Sequence, residues 1–205
     1  MLKVLGSLLL ASLAAHAQYK SDAASAPPSE VGPAVLATLN KAGTKIMLDN
    51  GTAILEIWFR SALPSGSGSP EEHVTLPMIP KGALMGVLRV LTPTSDSRGQ
   101  TIPAGVYSLR YGVVPNDAKH EGAAPQRDFL LLLPASDDQN PDSIADAAAL
   151  MKQSAKVAGT PHPVAFSVWK AQSDFPGFTY ENEADWVLQS KIGNVPFCTT
   201  LVWKP

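Results

Sequence analysis

With a single cysteine in 205 residues, the chain cannot form an intramolecular disulfide, so its fold must rest on an apolar core alone. A domain of about 150 residues buries roughly 68–70% of its unfolded surface, so a core of that kind is feasible here. Cys198 stands in the strand-like run Pro196-Phe197-Cys198-Thr199-Thr200-Leu201-Val202-Trp203 and reads as a small buried hydrophobe rather than a catalytic thiol. No cysteine lies near the N-terminus to receive a lipid. Long apolar runs are also missing. The one at the N-terminus stops after about a dozen residues, short of the roughly twenty a membrane-spanning helix needs, so no membrane span is expected. Charge of one sign is scarce too, with 16 Lys and Arg against 18 Asp and Glu. Without a basic stripe, nucleic acid is not an expected partner.

Sequence signatures of common mechanisms are absent as well. There is no G-x-S-x-G elbow, P-loop, dinucleotide fingerprint or EF-hand loop. His120-Glu121 opens like a zincin helix, but Ala124 stands where the second histidine belongs, and Gly122 and Pro125 break any helix.

What is present begins with export. Lys3, the apolar run Val4 to Ala15 and the small-x-small site Ala15-His16-Ala17 have the layout of a secretory signal over residues 1–17, giving a periplasmic or extracellular protein. Residues 18–31 are rich in Ser, Ala and Pro and read as a flexible leader, with one β-rich domain over 32–205. Lys45 to Asp49 and Thr52 to Arg60 flank Asn50-Gly51, the preferred type I′ hairpin turn. Leu55, Ile57 and Phe59 share one face of the second strand. The other face, with Ile54, Glu56, Trp58 and Arg60, is mixed enough to meet water or a partner. Asn50-Gly51-Thr52 also fits the N-glycosylation pattern, although the turn alone accounts for both Asn50 and Gly51.

Further strands are expected at 84–91, 105–114, 128–133, 164–169, 185–192 and 196–203, with Gly193-Asn194 turning the last two into a hairpin. One helix is expected over about 141–158, with Asn140 as cap, Pro141 in the first turn and Gly159 at its end. Closely spaced strands with Pro/Gly turns predict a mostly β fold, an antiparallel β-sandwich or distorted barrel with that helix covering one end or face.

The segment Gly99-Gln100-Thr101-Ile102-Pro103-Ala104-Gly105-Val106-Tyr107-Ser108-Leu109 resembles the G-x-x-x-P-A-G-x-Y-S-L stretch of a bacterial family of small exported β proteins, domain-of-unknown-function family 2911. The likeness spans Gly99 to Leu109 only. It implies a β fold and a bacterial source and brings no catalytic residues with it.

Three sets of residues are candidates for a site. His120 and His162, with Asp117 and Glu121, are suitable ligands for a divalent transition metal if their loops converge, which would make the protein a metal-dependent hydrolase. Solvated or turn-forming loop residues are the competing reading. Arg127-Asp128 reads either as an ion pair ordering a strand entry or as an anion-binding arginine in a cleft. Exposed pairs contribute only about 0–1 kcal/mol, and they are common. Phe175, Phe178 and Tyr180 lie in a Pro/Gly-rich loop with little regular structure to bury them, and so could form a stacking platform for a saccharide. The favoured function is an exported, non-catalytic binding or envelope-associated module, its partner a saccharide or an envelope protein. An assembly subunit that pairs an exposed strand with another chain is a third possibility.

Overall fold

The computed structural model describes residues 19–116, 125–143, 146–172, 177–181 and 185–203. The β-branched and aromatic runs become strands close to where the sequence places them: β2 (Thr44–Leu48), β3 (Ala53–Phe59), β4 (Leu84–Val90), β7 (Gly105–Val113), β8 (Asp128–Pro134), β9 (Ala165–Lys170), β11 (Asp185–Ile192) and β12 (Val195–Trp203). Four strands were not foreseen, namely β1 (Tyr19–Ala23), the short ribbon β5 (Thr94–Ser95) and β6 (Thr101–Ile102), and β10 (Phe178–Glu181). Ten strands form one antiparallel sheet in the order β1-β2-β3-β4-β7-β8-β9-β12-β11-β10, nearly closed into a barrel. The protein is therefore mostly β and takes the barrel option, not the sandwich.

Period-two alternation fills the barrel. Leu55, Ile57 and Phe59 of β3, Tyr107, Leu109 and Tyr111 of β7, and Leu130 and Leu132 of β8 point into one large core. Its two ends are closed by the chain itself. At the lower end, where β7 stops and β8 starts, the connection from β3 to β4 brings Leu76 and Ile79 into the core. At the upper end Ile102 of the β5–β6 ribbon does the same.

The outward face of β3, β4 and β7 is not left to solvent. Residues 19–31, expected to be a flexible leader, are instead part of the fold. Tyr19–Ala23 pairs along the whole of β2, and Val31 and Val35 are buried against Trp58, Leu84 and Val87. Trp58 Nε1 donates to the Ser25 carbonyl at 3.1 Å, and the Glu56 carboxylate accepts from the Ser25 amide at 3.1 Å and from Arg89 at 3.1 Å. The mixed face of β3 thus meets the chain's own N-terminal segment, which includes the short helix α1 (Pro33–Leu36).

Helix α2 (Ala147–Ala158) covers the outward face of β8, with Leu150 against Phe129, Leu131 and Leu133. It starts later than the sequence suggests. Asn140 caps a tight turn instead, its Oδ1 accepting from the Asp142 amide, and Asp146 is the true N-cap, accepting from the Ala149 amide at 3.0 Å. Gly159 ends the helix at φ +66°, as expected. Among the described residues no helix is long and apolar enough to cross a membrane.

The two hairpin turns have different outcomes. Gly193-Asn194 joins β11 to β12 as a two-residue loop with Ile192 opposite Val195. Only Gly193 has positive φ, which is the type II′ pattern. Between β2 and β3 the expected type I′ turn is absent, because Asn50 does not take positive φ. The loop is three residues long, Asp49-Asn50-Gly51. The Gly51 amide donates to Leu48 O, the Leu48 amide donates to Thr52 O, and Gly51 sits at φ +88° as the bulge residue.

Candidate functional site

The sheet does not close completely. Among the described residues β1 pairs only with β2 and β10 only with β11, so each leaves one edge without a strand partner. Inside this seam the Tyr19 ring meets Trp186 edge-on at 5.7 Å, and Trp186 lies stacked on Phe178 at 5.1 Å and 22°. All three are half-buried and pack on the rim of the main core. The register explains the meeting: Phe178 faces Leu188 and Tyr180 faces Trp186, so Phe178, Trp186 and Leu188 share the inward side of β10 and β11.

Phe178 therefore belongs to a strand and not to the loop expected for it. Tyr180 lies in the same strand, whereas Phe175 is outside the described residues. The sequence reading missed Tyr19 because it was assigned to the leader. The only signal it offered was an aromatic residue two positions after the expected cleavage site.

Asp185 lies beside Trp186, and burial raises its carboxyl above the usual range. A group that holds its proton more tightly when folded gives up stability as pH rises from the unfolded pKa through the folded one. Asp185→Asn is therefore expected to raise the melting temperature at pH 7 and to lose that advantage below about pH 4, near the unperturbed carboxylate pKa. Melting curves at the two pH values would show this, and equal melting temperatures at pH 7 would count against it.

The other candidate residues are placed as follows. Asp117, His120 and Glu121 lie outside the described residues. Their connection leaves β7 after Val113 and enters β8 at Asp128, both at the lower end. His162 precedes β9, whose Ala165 pairs with Leu131, and so stands toward the opposite end. Its backbone is tied to the Thr160 hydroxyl, which also meets Gln100, and its residue is exposed. Among the described residues no three of His, Cys, Asp and Glu group as metal ligands.

Arg127 and Asp128 do not pair with each other. The Arg127 guanidinium is engaged at each of its nitrogens, by Val114 O at 2.7 Å, Glu72 O at 2.9 Å and the Glu71 carboxylate at 3.2 Å. Lys81, donating to Glu71 at 2.5 Å, and after it Arg127, hold the Glu71 carboxyl below its ordinary range. Asp128 turns the other way, into the barrel end, where it accepts from the Thr75 and Leu76 amides, the Thr75 hydroxyl and the Tyr111 hydroxyl. Both residues organise the lower end.

A polar cluster that the sequence reading passed over lies on the outward face of β7. Arg110, 1% exposed, grips Asp138 with Nε at 2.7 Å and Nη2 at 2.5 Å, and Ser108 donates to the same carboxylate at 2.5 Å. The guanidinium also donates to the carbonyls of Gly82, Asn140 and Ser143. Every donor is used, so the cluster fastens the 138–143 segment to the barrel. Nearby, Gly82, Gly112, Phe129, Leu150 and Met151 line a largely apolar pocket of about 80 Å³. It is smaller than the ~150 Å³ apolar cavity known to take a benzene ring, and so too small for a sugar ring.

Comparison with known protein families, with curated proteins and with solved structures gives no significant match to this chain.

Proposed function

We propose that this chain is an exported, non-catalytic binding module that takes a saccharide of the cell envelope on the aromatic seam between β1 and β10. The observation that carries this reading is the half-buried trio of Tyr19, Phe178 and Trp186, brought from three strands to the place where the barrel stays open. Aromatic rings offer a flat apolar face at small entropic cost, and the apolar face of a pyranose stacks on such a surface while its hydroxyls reach the polar backbone of the strand edges. Export is supported by the signal layout of residues 1–17.

Trp186 gives the test an internal probe. Titration of the mature protein, Gln18 onward, with envelope oligosaccharides is expected to change tryptophan fluorescence saturably, and Phe178→Ala to weaken binding about tenfold, the equivalent of one stacking contact at about 1.4 kcal/mol. Undiminished affinity in Phe178→Ala would remove the seam as the binding surface. Near-stoichiometric metal in chelator-free protein would instead move the reading to a metal-dependent hydrolase.

A second reading draws on the same free edges: an assembly subunit that adds a strand from another chain. β1 argues against open-ended pairing of this kind, because Lys20 and Asp22 on it are exposed and charged, as on edges protected from aggregation.

A further inference from the structure

Six charged side chains are buried among the described residues: Glu56, Arg60, Asp96, Arg110, Asp128 and Asp138. Five of them have their partners. Glu56 holds Ser25 and Arg89, Asp96 caps the turn at Arg98 and Gln100, Arg110 and Asp138 hold each other, and Asp128 takes four donors. Arg60 is the exception. It is 8% exposed, and its Nε and Nη1 are buried with no hydrogen-bond partner among the described residues.

Position explains the difference. Arg60 follows β3 at the lower end, bridged to Leu39 and with its amide on Met85 O, and its side chain lies on the outward face with Trp58. The charged groups acting on it are Asp142 and Arg110. Asp138 already neutralises Arg110, and Asp142 is exposed and makes no bond to Arg60 among the described residues. A guanidinium cannot shed its proton to escape a low-dielectric site, and buried charges in proteins are as a rule paired. The planar fork is also the side-chain geometry best matched to a bidentate oxyanion.

We propose that Arg60 anchors a binding site for a small oxyanion, a carboxylate or phosphate group, with Asp142 as the competing internal acid at its edge. The site is separate from the aromatic seam and stands or falls independently of it.

The test is titration of the mature protein with inorganic phosphate and, separately, with acetate, following the Arg60 side-chain Nε–H by nitrogen-15 NMR assigned from its own backbone. A saturable shift of that resonance is expected with at least one of the two anions, and the stronger response tells phosphate from carboxylate chemistry. Arg60→Lys keeps the charge but loses the fork, and should bind at least tenfold more weakly. Asp142→Asn removes the competitor, and should bind at least as tightly as the wild type. An Nε–H that stays unmoved by both anions up to about 100 mM, roughly a hundredfold above a millimolar Kd, would overturn the proposal, as would equal affinity in Arg60→Lys. If Arg60→Lys fails to fold, the wild-type titration alone decides.

Discussion

Asp138→Ala is expected to lower unfolding free energy by about 3–5 kcal/mol, because it strands a buried guanidinium. Arg110 cannot follow its partner into water. It is 1% exposed at the centre of β7, under the segment that Asp138 itself helps hold down. The carbonyls of Gly82, Asn140 and Ser143 would still solvate the cation, which keeps the loss from rising further. Ser108, however, would also lose its acceptor. Against a total stability of about 5–15 kcal/mol this is a large fraction. Urea unfolding at pH 7 should show a lower midpoint with little change in slope. The double variant Arg110→Met with Asp138→Leu should recover most of the loss, since apolar replacement of a buried pair is often neutral or better. A single-variant loss under about 1 kcal/mol would mean that water reaches Arg110 and that the pair is not the fastening described.

The parts of this fold that were legible in the sequence are those fixed by neighbours along the chain. Alternation in Gly105–Val113 specifies both strand and face, the apolar run of Asp128–Pro134 specifies a strand, and Gly193-Asn194 specifies a turn that needs only one positive φ. What was illegible depends on partners far away. Tyr19–Ala23 carries no apolar period, because an edge strand can be held by backbone pairing to β2 alone. Asn140-Pro141 has the chemistry of a helix start, but the carbonyls of Asn140 and Ser143 are drawn to Arg110 and the helix waits for Asp146. Asn50-Gly51 marks a turn correctly yet leaves its length open, because Asp49 joins the loop and relieves Asn50 of the strained conformation. The same distinction applies to the sites. Phe178 was visible as an aromatic of uncertain burial, but its stacking on Trp186 and the approach of Tyr19 exist only once the sheet has curled. Arg110 drew no reading from the sequence, because its partner Asp138 lies 28 positions away.

The lower end of the barrel carries the second large expectation. Asp128→Ala should cost about 2–4 kcal/mol, because it leaves the buried Leu76 amide without an acceptor and the buried Tyr111 hydroxyl with only the longer bond to the Leu76 carbonyl at 3.3 Å, and a buried donor left unpaired costs about 1–3 kcal/mol. The Thr75 amide and hydroxyl are only part-buried, so water can serve them and they add little. Tyr111→Phe removes one of the two donors and should cost less, about 1–2 kcal/mol. In a double-mutant cycle the pair should show clear coupling, since Asp128 and Tyr111 meet at 2.6 Å. Burial, and after it the bond to Asp128, push the Tyr111 phenol above its ordinary range. Its folded pKa exceeds the unfolded one, so this contribution is intact below about pH 10 and is lost as pH climbs beyond, where the unfolded chain ionises first. Tyr111→Phe should therefore blunt the fall of stability in alkali, which phenylalanine cannot share. Hydrogen exchange locates the effect. Because Asp128 holds the segment that brings Leu76 and Ile79 into the core, exchange at the Leu76 amide should accelerate in Asp128→Ala beyond what global destabilisation explains. Exchange at Leu76 that merely tracks the global change would show that apolar packing, and not the carboxylate, keeps the barrel end shut.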